Sequence, residues 1–265
     1  MLLKDKIVLV SGIGPGLGVK LAIEAARENA AGLVITCRTA SKLADAEKRI
    51  RAVSAGIPIL AKTCNINDKA QCEALVAAGV EKFGRIDALI NSAFNHGPMD
   101  YVGTANLDQW LTGPLATNLI GSLRITQAVI PQMKKQKGGA IVMINTMAVR
   151  QVPPLGEAGY AASKAALRTS AMYLARELAP DGIRVNTVHI GWMWGFPVQM
   201  YVQYQAQSMK VSKDEIKRGI AANIPLGRIP TDDECARPAL FLCSDYASAV
   251  TGAALDVNGG AWMPS

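Results

Sequence analysis

The chain reads as an α/β protein, a doubly wound parallel sheet with helices on both faces. Three observations predict this. Short apolar runs alternate with longer amphipathic stretches along the chain. The apolar runs lack polar alternation, as strands buried on both sides do. A glycine-rich turn joins the first run to the first amphipathic stretch. With 265 residues, 50% hydrophobic and 18% charged, the chain can bury a large core and is not a disordered segment.

Lys6–Ser11 (KIVLVS) is the first predicted strand and Leu17–Asn29 the first helix. Leu33–Cys37 and Ser41–Val53 repeat the unit. Pro58–Cys64, Ile86–Asn91, Gly139–Asn145 and Ile183–Ile190 are further strands, and Leu255–Val257 is a short last one. Between them Asp68–Phe83, Leu107–Lys134 and Gly159–Ala179 read as helices. No linker, low-complexity tract or repeat divides residues 1–265, so they read as one domain. The stretch from Gly191 to Pro230 is too long for a plain loop, so it is functional or carries its own helices.

The charge balance is 28 basic against 21 acidic residues, a net +7. The bases are scattered. The densest group, Lys134, Lys135 and Lys137 before Gly138-Gly139, reads as a solvated helix end stopped by glycine. This pattern argues against nucleic-acid binding and suits an anionic small ligand, such as a phosphorylated cofactor. No apolar run reaches the ~18 residues of a membrane span. The start, Met1–Lys6, lacks the pattern of a secretory leader, so a cytoplasmic location is expected. The cysteines (37, 64, 72, 235 and 243) form no CxxC pair, and the histidines are only His96 and His189. Neither a disulfide framework nor a metal site is expected.

The turn Ser11-Gly12-Ile13-Gly14-Pro15-Gly16-Leu17-Gly18 carries the first functional signal. Gly12 permits a tight turn, Gly16 lets backbone approach a pyrophosphate, and Gly18 permits close helix–strand packing. The helix start then offers unpaired N–H groups to an anion. Where an acid would grip the ribose hydroxyls of a dinucleotide stands Cys37, followed by Arg38 and Thr39. An arginine there pairs with a 2′-phosphate, which favours NADP(H) over NAD(H).

Gly159-Tyr160-Ala161-Ala162-Ser163-Lys164 carries the second. Residues i and i+4 share a helix face, so Tyr160 and Lys164 point the same way. A neighbouring ammonium favours the phenolate, and such a phenol can exchange a proton with a carbinol oxygen.

Together these features resemble the short-chain dehydrogenase/reductase family, in its shorter single-domain branch. The resemblance spans nearly the whole chain: SGIGPGLG at the first turn, Asn91-Ser92-Ala93, Asn118-Leu119-Ile120-Gly121, Tyr160 with Lys164, IRVNTV at 183–188 and Val257-Asn258-Gly259-Gly260. It implies a Rossmann-type sheet of about seven strands and a cofactor site that also includes Gly14, Leu17, Asn65, Ile66, Asn91, Ala93 and Gly191. It implies Tyr160 as general acid/base, Lys164 tuning it and holding the nicotinamide ribose, and Asn118 carrying a water in a proton relay. It also implies a homo-oligomer, a tetramer packed through 107–134 and 159–179. The family's substrate-orienting serine is replaced in Ile144-Asn145-Thr146-Met147. Thr146 aligns best, with Asn145 as the alternative. The usual Pro-Gly turn is Ile190-Gly191, and Gly195 replaces a threonine that contacts the nicotinamide amide.

Aromatic residues make up 5% of the chain, yet Trp192, Trp194, Phe196, Tyr201 and Tyr204 crowd together. In the family this segment, about 191–230, is the substrate lid. The expectation is a bulky hydrophobic carbonyl or alcohol substrate, with Trp192 and Trp194 stacking on it. His96, after the fourth strand, is a further candidate for the pocket. The reading is an NAD(P)(H)-dependent oxidoreductase interconverting a secondary alcohol and a ketone. The alternative is a non-catalytic nucleotide-sensing protein of the same fold.

Overall fold

The structure, a computed structural model, describes residues 1–153 and 156–264. The chain alternates β1 (Ile7–Ser11), α1 (Leu17–Arg27), β2 (Gly32–Thr36), α2 (Ala40–Val53), β3 (Ile59–Ala61), α3 (Lys69–Phe83) and β4 (Ala88–Asn91). Helices α4 (Leu107–Trp110) and α5 (Thr112–Pro114) lead through a π-helical segment, Leu115–Gly121, into α6 (Ser122–Gln136). Then come β5 (Gly139–Thr146), α7 (Ala158–Leu178), β6 (Ile183–Ile190), α8 (Phe196–Met209), α9 (Lys213–Ala221), α10 (Asp232–Cys243) and β7 (Ala254–Val257).

The strands form one seven-stranded parallel sheet in the order β3-β2-β1-β4-β5-β6-β7. Winding reverses between β1 and β4, which opens a crevice at the carboxyl ends of the strands. Side chains alternate between two covered faces. Val8 and Val10 of β1 pack with α1, α2 and α10, whereas Ile7 and Leu9 pack with α3, α6 and α7. That double burial is why the strands read as unbroken apolar runs.

Three expectations need correction. Leu107–Lys134 is not one helix. Pro114 has no N–H to bond Trp110 O, and the α pattern is interrupted at Leu111 before it resumes in Thr112–Pro114 and passes into the π segment. The lysine-rich end of α6 is closed one residue before the glycines. Lys137 takes the left-handed conformation (φ 56°), and the N–H groups of Lys137 and Gly138 bond back to Lys134 and Met133. The third strand pairs only over Ile59–Ala61, because β3 is an edge strand and the chain turns so that Cys64 N–H bonds Cys37 O at 3.0 Å.

The stretch 191–230 carries helices of its own, α8 and α9. The Ser212 side chain caps α9, and a Thr231–Glu234 capping box starts α10. Among the described residues no helix is long and apolar enough to cross a membrane.

Candidate active site

A cleft of about 500 Å³ lies along the carboxyl ends of the strands. One end is the turn between β1 and α1. Gly12 sits at φ 101°, and a side chain there would strike the backbone of Ala93. One at Gly18 would strike the carbonyl of Gly12. These two glycines are packing requirements. Gly14 has nothing within 4 Å of a built Cβ, and Gly16 meets only Pro197, at 3.6 Å. They leave the backbone open to the cleft. No side chain caps the start of α1, so its first N–H groups are not taken by one. An open glycine wall at an uncapped helix start fits the pyrophosphate of a dinucleotide.

Arg38, Thr39, Asn65, Ile66, Ala93, Leu17 and Gly191 all line the same cleft. So do Cys37 and Lys42, which places Lys42 and the exposed Arg38 together at its mouth. Lys42 was not singled out from the sequence. Its position in the first turn of α2, four residues after Arg38, is the signal that could have found it. A side chain at Gly191 would collide with Asn258, which explains why the terminal Asn258-Gly259-Gly260 turn and this wall occur together.

Asn91 departs from its assignment. Its side chain is buried, with Nδ2 donating to Thr126 Oγ1 at 3.0 Å, and it does not line the cleft. The pleat turns it toward α6 and away from the adenosine end.

Tyr160, in the first turn of α7, faces the other end of the cleft with Lys164 and Thr146. Lys164 is almost fully buried, and its Nζ lies 5.9 Å from the Tyr160 ring centre and donates to Ile144 O at 2.7 Å. Burial pushes the Lys164 ammonium down to about 7. The phenol is held well above the usual tyrosine value, first by burial and then by the Glu157 carboxylate. The Thr146 hydroxyl works the other way. The lowering influence on the phenol thus comes from Thr146, not from Lys164 as expected, and desolvation outweighs it.

Both candidates for the missing serine line the cleft, and their bonding differs. Asn145 is buried, with Oδ1 accepting from Thr146 N–H at 2.8 Å and Nδ2 donating to Lys164 O at 2.9 Å. Its amide braces β5 against α7 and keeps one Nδ2 proton and one Oδ1 lone pair at a residue that also lines the cleft. Thr146 Oγ1 accepts from Ala148 N–H at 3.2 Å, and its hydroxyl faces the Tyr160 phenol, whose ionisation it favours.

Asn118 is held between the β4 loop and α7. Its Oδ1 accepts from Asn95 N–H at 2.7 Å, and its Nδ2 donates to Asn95 O and Ser163 Oγ, both at 2.8 Å. Fully buried, the side chain clamps the β4 loop to α7 through both Nδ2 protons and one lone pair of Oδ1.

His96, Trp192 and Trp194 do not line the cleft. The His96 ring stacks on Tyr160 with centroids 4.9 Å apart and planes at 15°. Trp192 packs on Tyr201 at 5.5 Å, and Trp194 lies under Lys217 Nζ at 4.5 Å. The backbone N–H of Trp194 bonds Pro230 O at 2.7 Å, fixing the base of the lid. The apolar wall comes instead from Phe94, Met193, Pro197 and Val198, none of which the aromatic count singled out.

A family model described as "Enoyl-(Acyl carrier protein) reductase" matches residues 12–261. The 3-oxoacyl-[acyl-carrier-protein] reductase FabG of Staphylococcus aureus (strain Mu50) is 31% identical over 259 residues, 97% of this chain and 98% of that protein. A solved point variant of actinorhodin polyketide ketoreductase with NADPH superposes with TM-score 0.87 at 31% identity, covering 97% of each chain. A short-chain type dehydrogenase/reductase from Mycobacterium marinum gives TM-score 0.87 at 26% identity, covering 99% of this chain and 97% of that one. Sheet order, glycine turn, Tyr160–Lys164 geometry and these full-length matches agree: the chain belongs to the short-chain dehydrogenase/reductase family of oxidoreductases.

Proposed function

We propose that the protein is an NADP(H)-dependent oxidoreductase that interconverts a hydrophobic ketone and its secondary alcohol, with Tyr160 as general acid and base. One observation carries this reading. A single cleft holds an open glycine wall with Arg38 and Lys42 at one end, and Tyr160, Lys164 and Thr146 at the other. The two cations suit a 2′-phosphate. The reductase names of the relatives, one of them solved with NADPH, favour carbonyl reduction with that cofactor.

The cofactor supplies or receives the hydride at the reacting carbon. Thr146 Oγ donates a hydrogen bond that orients the substrate oxygen. Tyr160 gives that oxygen a proton in reduction and takes it back in oxidation. Lys164, titrating near neutrality, favours the phenolate when charged. Phe94, Met193, Pro197 and Val198 offer an apolar surface that excludes water from the reacting atoms. The working form is a cytoplasmic homotetramer. Met172 and Tyr173 on α7, 52% and 66% exposed, give that helix an apolar outer face suited to a partner copy.

Parallel titration with NADPH and NADH tests the cofactor. NADPH is expected to bind at least ~10-fold tighter, ~1.4 kcal/mol, and Arg38→Ala to erase most of that margin. Equal or tighter binding of NADH overturns the assignment to NADP(H).

A further inference from the structure

His96 and Glu157 lie outside the cleft lining, yet both are built against the proposed general acid/base. The His96 ring lies flat on one face of the Tyr160 ring, while Phe94 meets that ring edge-on at 6.2 Å. His96 Nε2 is 3.0 Å from Glu157 Oε2, and Glu157 stands three residues before Tyr160, at the start of α7. The two side chains are 33% and 15% exposed, so the pair is partly shielded from solvent.

The loop that presents His96 is fixed, not merely nearby. Asn118 grips Asn95 through both backbone groups, and its Nδ2 also reaches Ser163 Oγ. Ser163 Oγ in turn donates to Tyr160 O at 2.7 Å. A closed circuit of hydrogen bonds thus ties His96, through its neighbour, to the same helical turn that carries Tyr160.

We propose that His96 and Glu157 are a positioning pair for Tyr160: the carboxylate holds the imidazole flat on the phenol ring, and the imidazole holds the carboxylate's charge away from the phenol oxygen. This rests on the reading of Tyr160 as the acid/base. The charged groups around the phenol are Glu157 and Lys164 on its own helix. His96 is the titratable group facing it from the β4 loop, and β5 contributes the neutral Thr146 and Asn145.

The two members then act in opposite senses. A carboxylate near a phenol opposes its ionisation, so removing the charge favours phenolate. Removing the imidazole frees the carboxylate and disfavours phenolate. A structural role alone does not produce opposite signs.

The test is a pH titration of the NADP⁺ complex carrying ζ-¹³C tyrosine, with the Tyr160 resonance assigned by its loss in Tyr160→Phe. Glu157→Gln is expected to lower the midpoint by about one unit. His96→Phe, which keeps a stacked ring, is expected to raise it or push it beyond the accessible range. His96→Gln, which keeps a donor for Glu157, is expected to restore much of the wild-type value. Midpoints that stay put, or that move the same way in Glu157→Gln and His96→Phe, overturn the proposal. If His96→Phe fails to fold, His96→Leu, which also lacks a donor for Glu157, takes its place under the same criterion. The titration needs no turnover, so it fails or succeeds independently of the proposed reaction, which Tyr160→Phe kinetics test separately.

Discussion

Lys164 shows how a functional demand is written into one residue. It is among the largest fully buried side chains, and its ammonium bonds a single backbone carbonyl, Ile144 O. Burial lowers its pKa to about 7, well below the value in an unfolded chain. Below about 7 both states hold the proton, and the folded state bears the full cost of a buried charge. Between about 7 and the ordinary lysine range of ~10.4 the unfolded state binds more protons, so stability rises with pH in that window. Lys164→Met is therefore expected to stabilise the protein most below pH 7, with its advantage shrinking toward pH 10, as measured by urea midpoints of both proteins across pH. A difference that does not change with pH contradicts the assigned burial. Tyr160 and Lys164 were legible because helical periodicity alone puts them on one face. Asn91 and His96 were placed less well, because their bonding partners (Thr126, Glu157) lie in other elements. A linear sequence does not show which donors meet which acceptors.

At the scale of elements, the turn between β1 and α1 divides its glycines by purpose. Gly12 and Gly18 have no room for a Cβ, whereas Gly14 has open space. Gly18→Ala is expected to destabilise the fold by about 1–3 kcal/mol, as overpacking does. Gly14→Ala is expected to leave the melting temperature of the free protein nearly unchanged while weakening NADPH binding, because its methyl projects from the wall that meets the pyrophosphate. Thermal melts with and without NADPH separate the two effects. Strands were the most legible elements, since burial on both faces leaves an unbroken apolar run. The helix read at 107–134 was misjudged because its hydrophobic pattern continues through Leu111 and 115–121, while the backbone is interrupted at the first and widens to a π-helix over the second. The lid's aromatics were counted correctly but aimed wrongly, since Trp192 packs on Tyr201 and Trp194 under Lys217, off the cleft.

Across the whole molecule, strand order is what brings distant residues together. The reversal between β1 and β4 sets the turn at residues 12–18 beside Thr146 and Tyr160, far away in sequence. The alternation of strands and helices carried that architecture, so the fold and most of the cleft could be read in advance. The tetramer proposed above predicts a light-scattering mass four times that of one chain at micromolar concentration, and a monomer contradicts it. The central claim is that Tyr160 moves the proton. The most direct test follows NADPH oxidation against a panel of bulky hydrophobic ketones for wild type and Tyr160→Phe, with NADPH affinity measured in parallel. The account predicts that Tyr160→Phe lowers kcat by ~10²–10⁴-fold while NADPH affinity is little changed. Full turnover by Tyr160→Phe on a ketone that the wild type reduces contradicts it.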